Sequence, residues 1–147
     1  GECHGGSMLL HPVVHLHLFN SCGELYLQKR PAWKDIQPGR WDTAVGGHVD
    51  WGEEPLAALR REVREEVGVT DFEPQHVLTY LFESEREREL VYVYKTVYDG
   101  PVVPSGELDG GRFWTLREIA EGVGGGIFTP NFEGEIRRVA ELPDVGR

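Results

Sequence analysis

A chain of 147 residues and 16.6 kDa suits one compact domain, so residues 1–147 are read as a single unit. With 39% hydrophobic and 27% charged residues, it has neither the composition of a disordered tail nor that of a membrane protein. Basic residues number 15 against 25 acidic ones, a formal net charge of -10. That balance argues against nucleic acid as a partner, because a generic nucleic-acid binder needs a basic face to displace counterions. A polyphosphate stays eligible where cations bridge it to the acids.

The longest apolar stretch, Pro12 to Phe19, is broken by His15 and His17 and falls far short of a membrane span. Gly1 to Ser7 lacks the basic segment and apolar core of a secretory signal. Cys3 and Cys22 alone do not make a disulfide framework, so the expected compartment is the reducing cytoplasm. Oligomeric state is left open.

Val13 to Phe19 alternates Val14, Leu16 and Leu18 with His15 and His17, a strand period that accounts for the two histidines without a metal. Asn20-Ser21-Cys22-Gly23 is a turn, and Glu24 to Arg30 alternates again, which predicts a hairpin. A loop holding Trp33 and Lys34 leads to Trp41 to Val49, extended and punctuated by Gly46-Gly47. Pro55 to Val67 is the strongest helix, with Pro in its opening turn and Gly68 as its stop. Val77 to Glu83 and Leu90 to Tyr98 read as strands joined by a charged run. Arg112 to Thr115 reads as a short strand, followed by a helical turn near Glu118 to Glu121. Gly122 to Gly126 reads as a connector, and Asn131 to Leu142 as a closing amphipathic helix. Strands on both sides of a central helix predict an α/β sandwich.

On a wheel of about 100° per residue, Leu56, Leu59, Val63 and Val67 form the buried stripe of the central helix. Glu62, Glu65 and Glu66 cluster on an adjoining arc, with Arg61 and Arg64 on the other flank. Like charges at these spacings cost roughly 0.2 to 0.5 kcal/mol per pair, and the helix dipole opposes them at the C-terminal end. Charge runs are usually solvated faces. Here the fixed spacing favours the alternative, oxygen ligands converging on Mg²⁺ or Mn²⁺ with substrate phosphates completing the shell.

From Gly47 the segment reads GHVDWGEEPLAALRREVREEVGV: Gly47, five residues, Glu53, seven residues, then Arg61-Glu62-Val63-Arg64-Glu65-Glu66-Val67-Gly68-Val69. This resembles the Nudix box, Gly-x5-Glu-x7-Arg-Glu-U-x-Glu-Glu-x-Gly-U with U aliphatic, at every defined position. Such a match arises by chance in roughly one chain in ten million at ordinary residue usage. The resemblance implies a Nudix-type α/β/α sandwich with a central mixed β-sheet and a loop–helix–loop catalytic motif. It also implies metal-dependent attack of water on a diphosphate linkage in a small-molecule substrate. On that resemblance Glu62, Glu65 and Glu66 hold the cation, and Gly47 brings its backbone close to it. Glu53 and Arg61 brace the loop against the helix, and Glu65 or Glu66 activates the water.

A second resemblance lies outside the box. His4 and His11, His48 directly after Gly47, and Glu87-Arg88-Glu89 are similar to the metal ligands of type 1 isopentenyl-diphosphate isomerases, which share the Nudix fold. They make a candidate second metal site, and Arg30 and Lys34 match diphosphate-contacting positions there. That family needs a catalytic Cys two residues before the residue matching His48, where this chain has Gly46, and it carries Arg where this chain has Glu62. The expectation is therefore a Nudix pyrophosphohydrolase with an isomerase-like pocket. An isomerase, or a nucleotide- or sugar-diphosphate-binding module without turnover, is the alternative. Gly-x-Ser-x-Gly and His-Glu-x-x-His are absent, which removes support for Ser-nucleophile and zincin chemistry.

Overall fold

The computed structural model describes residues 9–30, 39–105 and 110–145. Ten elements follow in chain order: β1 (Leu10–Phe19), β2 (Leu25–Lys29), β3 (Trp41–Thr43), β4 (Val45–His48), α1 (Pro55–Val67), β5 (Gln75–Glu83), β6 (Arg88–Val97), β7 (Gly111–Trp114), α2 (Leu116–Gly122) and α3 (Pro130–Val139). The strands form one sheet in the order β3-β2-β1-β6-β5, with β4 also paired to β1 and β7 to β2. β1 and β6 run parallel over the whole of β1 while every other pairing is antiparallel, so the sheet is mixed.

The alternation in β1 decides the layers. Val14, Leu16 and Leu18 point to one face and pack with Ala58, Leu59, Val63 and Val67 of α1. On the opposite face Val13 packs with Val91 and Val93, and Leu25 and Leu27 join Trp114, Ile119, Phe132 and Ile136 beneath α2 and α3. The molecule is thus an α/β/α sandwich with the Nudix-box helix on one side and α3 on the other. The expected stripe of α1 needs one correction: Leu56 is 43% exposed, and Ala58 is buried in its place.

α1 begins and ends where its sequence signals lie, with Pro55 opening the first turn and Gly68 in the left-handed region at φ 69°, its N–H bonded to the carbonyl of Arg64. Its last carbonyls do not stay orphaned. Val103 N–H donates to Val67 O and Ser105 N–H to Glu66 O, which ties the acidic end of the helix to the segment after β6. The closing helix is shorter than expected and stops at Val139, while the charged run after β5 tightens into a hairpin turn in which Glu87 O accepts from Ser84 N–H.

Candidate active site

The site is built on the loop between β4 and α1 and on the acidic arc of α1. Arg61 organises it. Its Nε and Nη2 donate to the two carboxylate oxygens of Glu53, each at 2.9 Å, and Nη2 also donates to His48 O at 3.0 Å. Nη1 donates to Glu62 at 2.9 Å and lies 3.6 Å from Glu65. Arg61 therefore turns toward the acids instead of occupying the far flank that the wheel assigned it, because a long side chain reaches across the wheel to the charge it can satisfy. Glu53 also accepts from Asp50 N–H at 2.9 Å. The Arg61 fork, helped by that N–H, holds the Glu53 carboxyl down at about 2.

Glu62, Glu65 and Glu66 do not share one environment. The Glu65 side chain is half exposed, whereas that of Glu62 is mostly covered. Glu66 is enclosed beside the sheet: it accepts from Gln28 Nε2 at 3.5 Å and lies against the Glu62 carboxyl and the Gly46 N–H. Burial, and then the adjacent Glu62 carboxyl, push the Glu66 carboxyl up to about 9. Gly47 sits over Glu62 so closely that a Cβ there would overlap the Glu62 carboxyl group. The glycine and the paired carboxyls thus form a tight, oxygen-lined cradle. The donor set has the oxygen chemistry a hard divalent cation takes, and Glu62, Glu65, Glu66 and the Gly47 backbone are the groups that could hold one. Among the described residues, no three His, Cys, Asp or Glu side chains close a metal site by themselves.

The residues of the candidate second metal site are only partly drawn together. His11 and His48 approach with ring centroids 6.4 Å apart, and Glu89 is the strand partner of His11 in the β1–β6 ladder. Glu87 lies in the β5–β6 turn and lines a cavity of about 570 Å³ together with Arg30, Asp42, Arg86, Thr129 and Asn131. Arg30 stands 3.7 Å from Asp42 there. His4 and Lys34 lie outside the described residues.

Sequence reasoning passed over a second polar cluster on the α3 side. Glu135 is buried, and it accepts from His15 Nδ1 at 2.9 Å, His17 Nε2 at 2.7 Å and Tyr80 Oη at 2.6 Å. Alternation correctly put His15 and His17 on one face, but it could not say that α3 covers that face. A signal was present in α3 itself, where Glu135 falls on the apolar side of the helix next to Phe132 and Ile136.

The fold and this loop–helix constellation define the class of protein, and comparisons agree with it. The NUDIX domain profile matches residues 9–132, and the chain belongs to the Nudix family. It is 36% identical over 97 residues to a protein of Pseudomonas aeruginosa named uncharacterized Nudix hydrolase PA4841, covering 65% of this chain and 57% of that one. It is 31% identical over 118 residues to the isopentenyl-diphosphate Delta-isomerase of Serratia proteamaculans, covering 77% of this chain and 64% of that one. The chain therefore spans about 57% to 64% of the length of these two curated relatives. Among solved structures, DR0079 from Deinococcus radiodurans superposes with a TM-score of 0.76 at 26% identity, over 87% of this chain and 82% of that one. The resemblance to isomerases as well as to hydrolases matches the two-sided pattern read from the sequence. None of the described helices is long and apolar enough to cross a membrane.

Proposed function

We propose that this chain is a divalent-metal-dependent Nudix pyrophosphohydrolase that cleaves a diphosphate linkage joining a nucleoside diphosphate, or a related organic group, to another moiety. The observation that carries the reading is the Glu62–Glu66 contact beneath Gly47, flanked by the Arg61 clamp. Clustered carboxyls on the C-terminal half of a helix cost stability, which a sequence selected for folding alone would not retain.

Bound Mg²⁺ or Mn²⁺ supplies charge neutralisation at the phosphates and lowers the pKa of the attacking water. The protein does the rest. Arg61 fixes the β4–α1 loop through Glu53 and the His48 carbonyl, and so holds the Gly47 backbone over the acids. Glu62, Glu65 and Glu66 provide the oxygen ligands. Glu66, the more enclosed of the last two, is the candidate to take a proton from the water, with Glu65 as the other candidate. Arg30 lines the neighbouring cavity, where its guanidinium suits a phosphate or the group attached to it. The substrate is a small molecule, and the setting a reducing cytoplasm.

Phosphorus NMR of products from a panel of nucleoside triphosphates, nucleotide sugars, dinucleotide polyphosphates and isopentenyl diphosphate, with Mg²⁺, tests the proposal. Cleavage of a member by the wild type and not by Glu66→Gln is the expected result; equal turnover by that variant would sink the assignment. The isomerase relatives support a second reading, isomerisation of isopentenyl diphosphate. Gly46 offers no thiol where that chemistry needs one, and allylic proton exchange into deuterated water would nonetheless reveal it. Tight binding of a panel member without product would instead indicate a binding module.

A further inference from the structure

Across the sheet from the carboxyls of α1, His15 stands apart from the rest of the Glu135 cluster. Both histidines donate to the same carboxylate, but the His17 side chain is fully buried while that of His15 is 18% exposed. The Glu135 bond uses Nδ1 of His15 and leaves the other edge of the ring turned toward β4. His15 and Gly46 are direct partners in the β1–β4 ladder. A Cβ at Gly46 would sit 3.4 Å from His15 Cδ2 and 3.7 Å from Nε2, with nothing else among the described residues within 4 Å. The space over Gly46 is thus bounded by this imidazole, in contrast to the closed cradle under Gly47.

We propose that His15, oriented by Glu135, is a substrate-contacting residue that donates a hydrogen bond from Nε2 to a phosphoryl oxygen of the diphosphate, on the face of β4 opposite the Glu62–Glu66 pair. The inference rests on the diphosphate chemistry proposed above and adds a binding residue outside the Nudix box. Three further observations support it. Gly46 N–H faces the Glu66 carboxyl and the neighbouring Gly47 lies over Glu62, so a phosphate lying over Gly46 is one strand away from the acids. Tyr80 and Glu135 line a cavity of about 260 Å³ that shares Phe82, Pro130 and Asn131 with the larger cavity holding Arg30 and Asp42, so open space borders two members of the cluster, while His15 itself is reached through its own exposed edge. A buried ion pair also contributes little net stability compared with an apolar core, which leaves the presence of both histidines and the acid unexplained by packing alone.

The groups around the ring come from the sheet and from α3. Glu135 and Arg138 belong to α3, Tyr80 to β5, Glu89 to β6, Asp42 to β3 and His17 to β1 itself, and Arg138 is held over the Tyr80 ring. Burial pulls the His15 pKa down, but hydrogen bonding and attraction from Glu135, aided by Asp42 and Glu89, outweigh it and leave the value raised. The ring therefore holds its second proton, the one an anion would accept, further up the pH scale than a free histidine does.

Calorimetric titration of the full chain with methylenediphosphonate and Mg²⁺ tests the contact without turnover, since the carbon bridge cannot be hydrolysed. His15→Gln is expected to weaken binding about tenfold, the scale of one hydrogen bond to a charged group. His17→Phe, which disturbs the same carboxylate from a position no ligand reaches, is expected to stay within about twofold. In ¹⁵N–¹H spectra of the imidazoles, the His15 Nε2 resonance should move during the titration while that of His17 does not. Unchanged affinity in His15→Gln, an unmoved His15 resonance at saturation, or no binding by the wild type would each overturn the proposal. Binding that depends on His15 in a protein that hydrolyses no member of the phosphorus NMR panel would refute the hydrolase reading and leave this contact standing.

Discussion

The two faces of the sheet each carry glutamates beside β4, and they treat them in opposite ways. On the α1 side, Glu62 and Glu66 contact each other, Glu65 is half exposed, and Arg61 reaches Glu62 and Glu65. On the α3 side, Glu135 is buried and takes three hydrogen bonds from two histidines and a tyrosine. One carboxyl set is short of positive charge and the other is saturated with donors. Electrostatic deficit marks a place where a cation and phosphates complete the arrangement, while saturation fixes geometry. Proximity of acids is therefore a poorer guide to chemistry than the balance of donors around them.

The largest expected effect falls on the deficient side. Glu66→Gln should lower metal-dependent turnover by about 10² to 10⁴-fold, the scale for losing a general base. Its melting temperature should stay near that of the wild type, because the amide replaces a carboxyl that burial beside Glu62 already favours in its neutral form; a parallel loss of folding would erase the contrast between the faces. Gly47→Ala should also inactivate, since its Cβ would overlap Glu62, whereas Gly46→Ala meets only an ordinary contact with His15 and should fold normally. Activity assays on the two variants, with circular dichroism as the folding control, check the asymmetry across one strand.

On the saturated side the expected loss is in stability. Glu135→Ala strands His15, His17 and Tyr80 and should cost roughly 3 to 5 kcal/mol in urea unfolding, while Glu135→Leu should cost much less, because it refills the space with apolar atoms. Equal costs would mean that the carboxylate is not the element that holds the helix.

The smallest effect is a pH signature. The Glu135 carboxyl is held well below the usual carboxylate range, by hydrogen bonds from His15 and His17 that overcome a larger burial penalty. A depressed acid contributes stability above its unfolded pKa and loses it as pH falls through the folded value. His15 is raised above 6.5, so its contribution is complete below that value and fades as pH rises through the folded one. The cluster should stabilise most between about 4.5 and 6.5. The difference in unfolding free energy between wild type and Glu135→Leu should peak in that window, and a flat difference would count against the pair.

Much of the α1 side was legible from local pattern. Pro55, Gly68 and the apolar stripe place the helix within its observed bounds, and the spacing of Glu62, Glu65 and Glu66 puts them on one arc whatever the rest of the chain does. Burial of Leu56 was misjudged because a wheel gives the direction of a side chain and not what the fold sets against it. The pairing of Arg61 with Glu53 was legible from the motif, but its reach to Glu62 was not, because a wheel places Arg61 on the far flank and has no side-chain reach. The candidate second metal set was legible as a resemblance, yet in the fold His11, His48 and Glu89 gather at one end of β1 while Glu87 turns into the cavity.

What the sequence determined by itself was therefore periodic or contiguous: the strand alternation of β1, the span of α1, the acidic arc and the loop before it. These depend on torsions and on neighbours within a turn or two, which the order of residues specifies directly. Tertiary structure alone decided that β1 pairs in parallel with β6, that α3 closes over the histidine face, and that Glu135 meets His15 from 120 positions away. Contacts of that range exist only once the sheet has assembled, and the chemistry of each carboxyl group depends on which donors that assembly delivers to it.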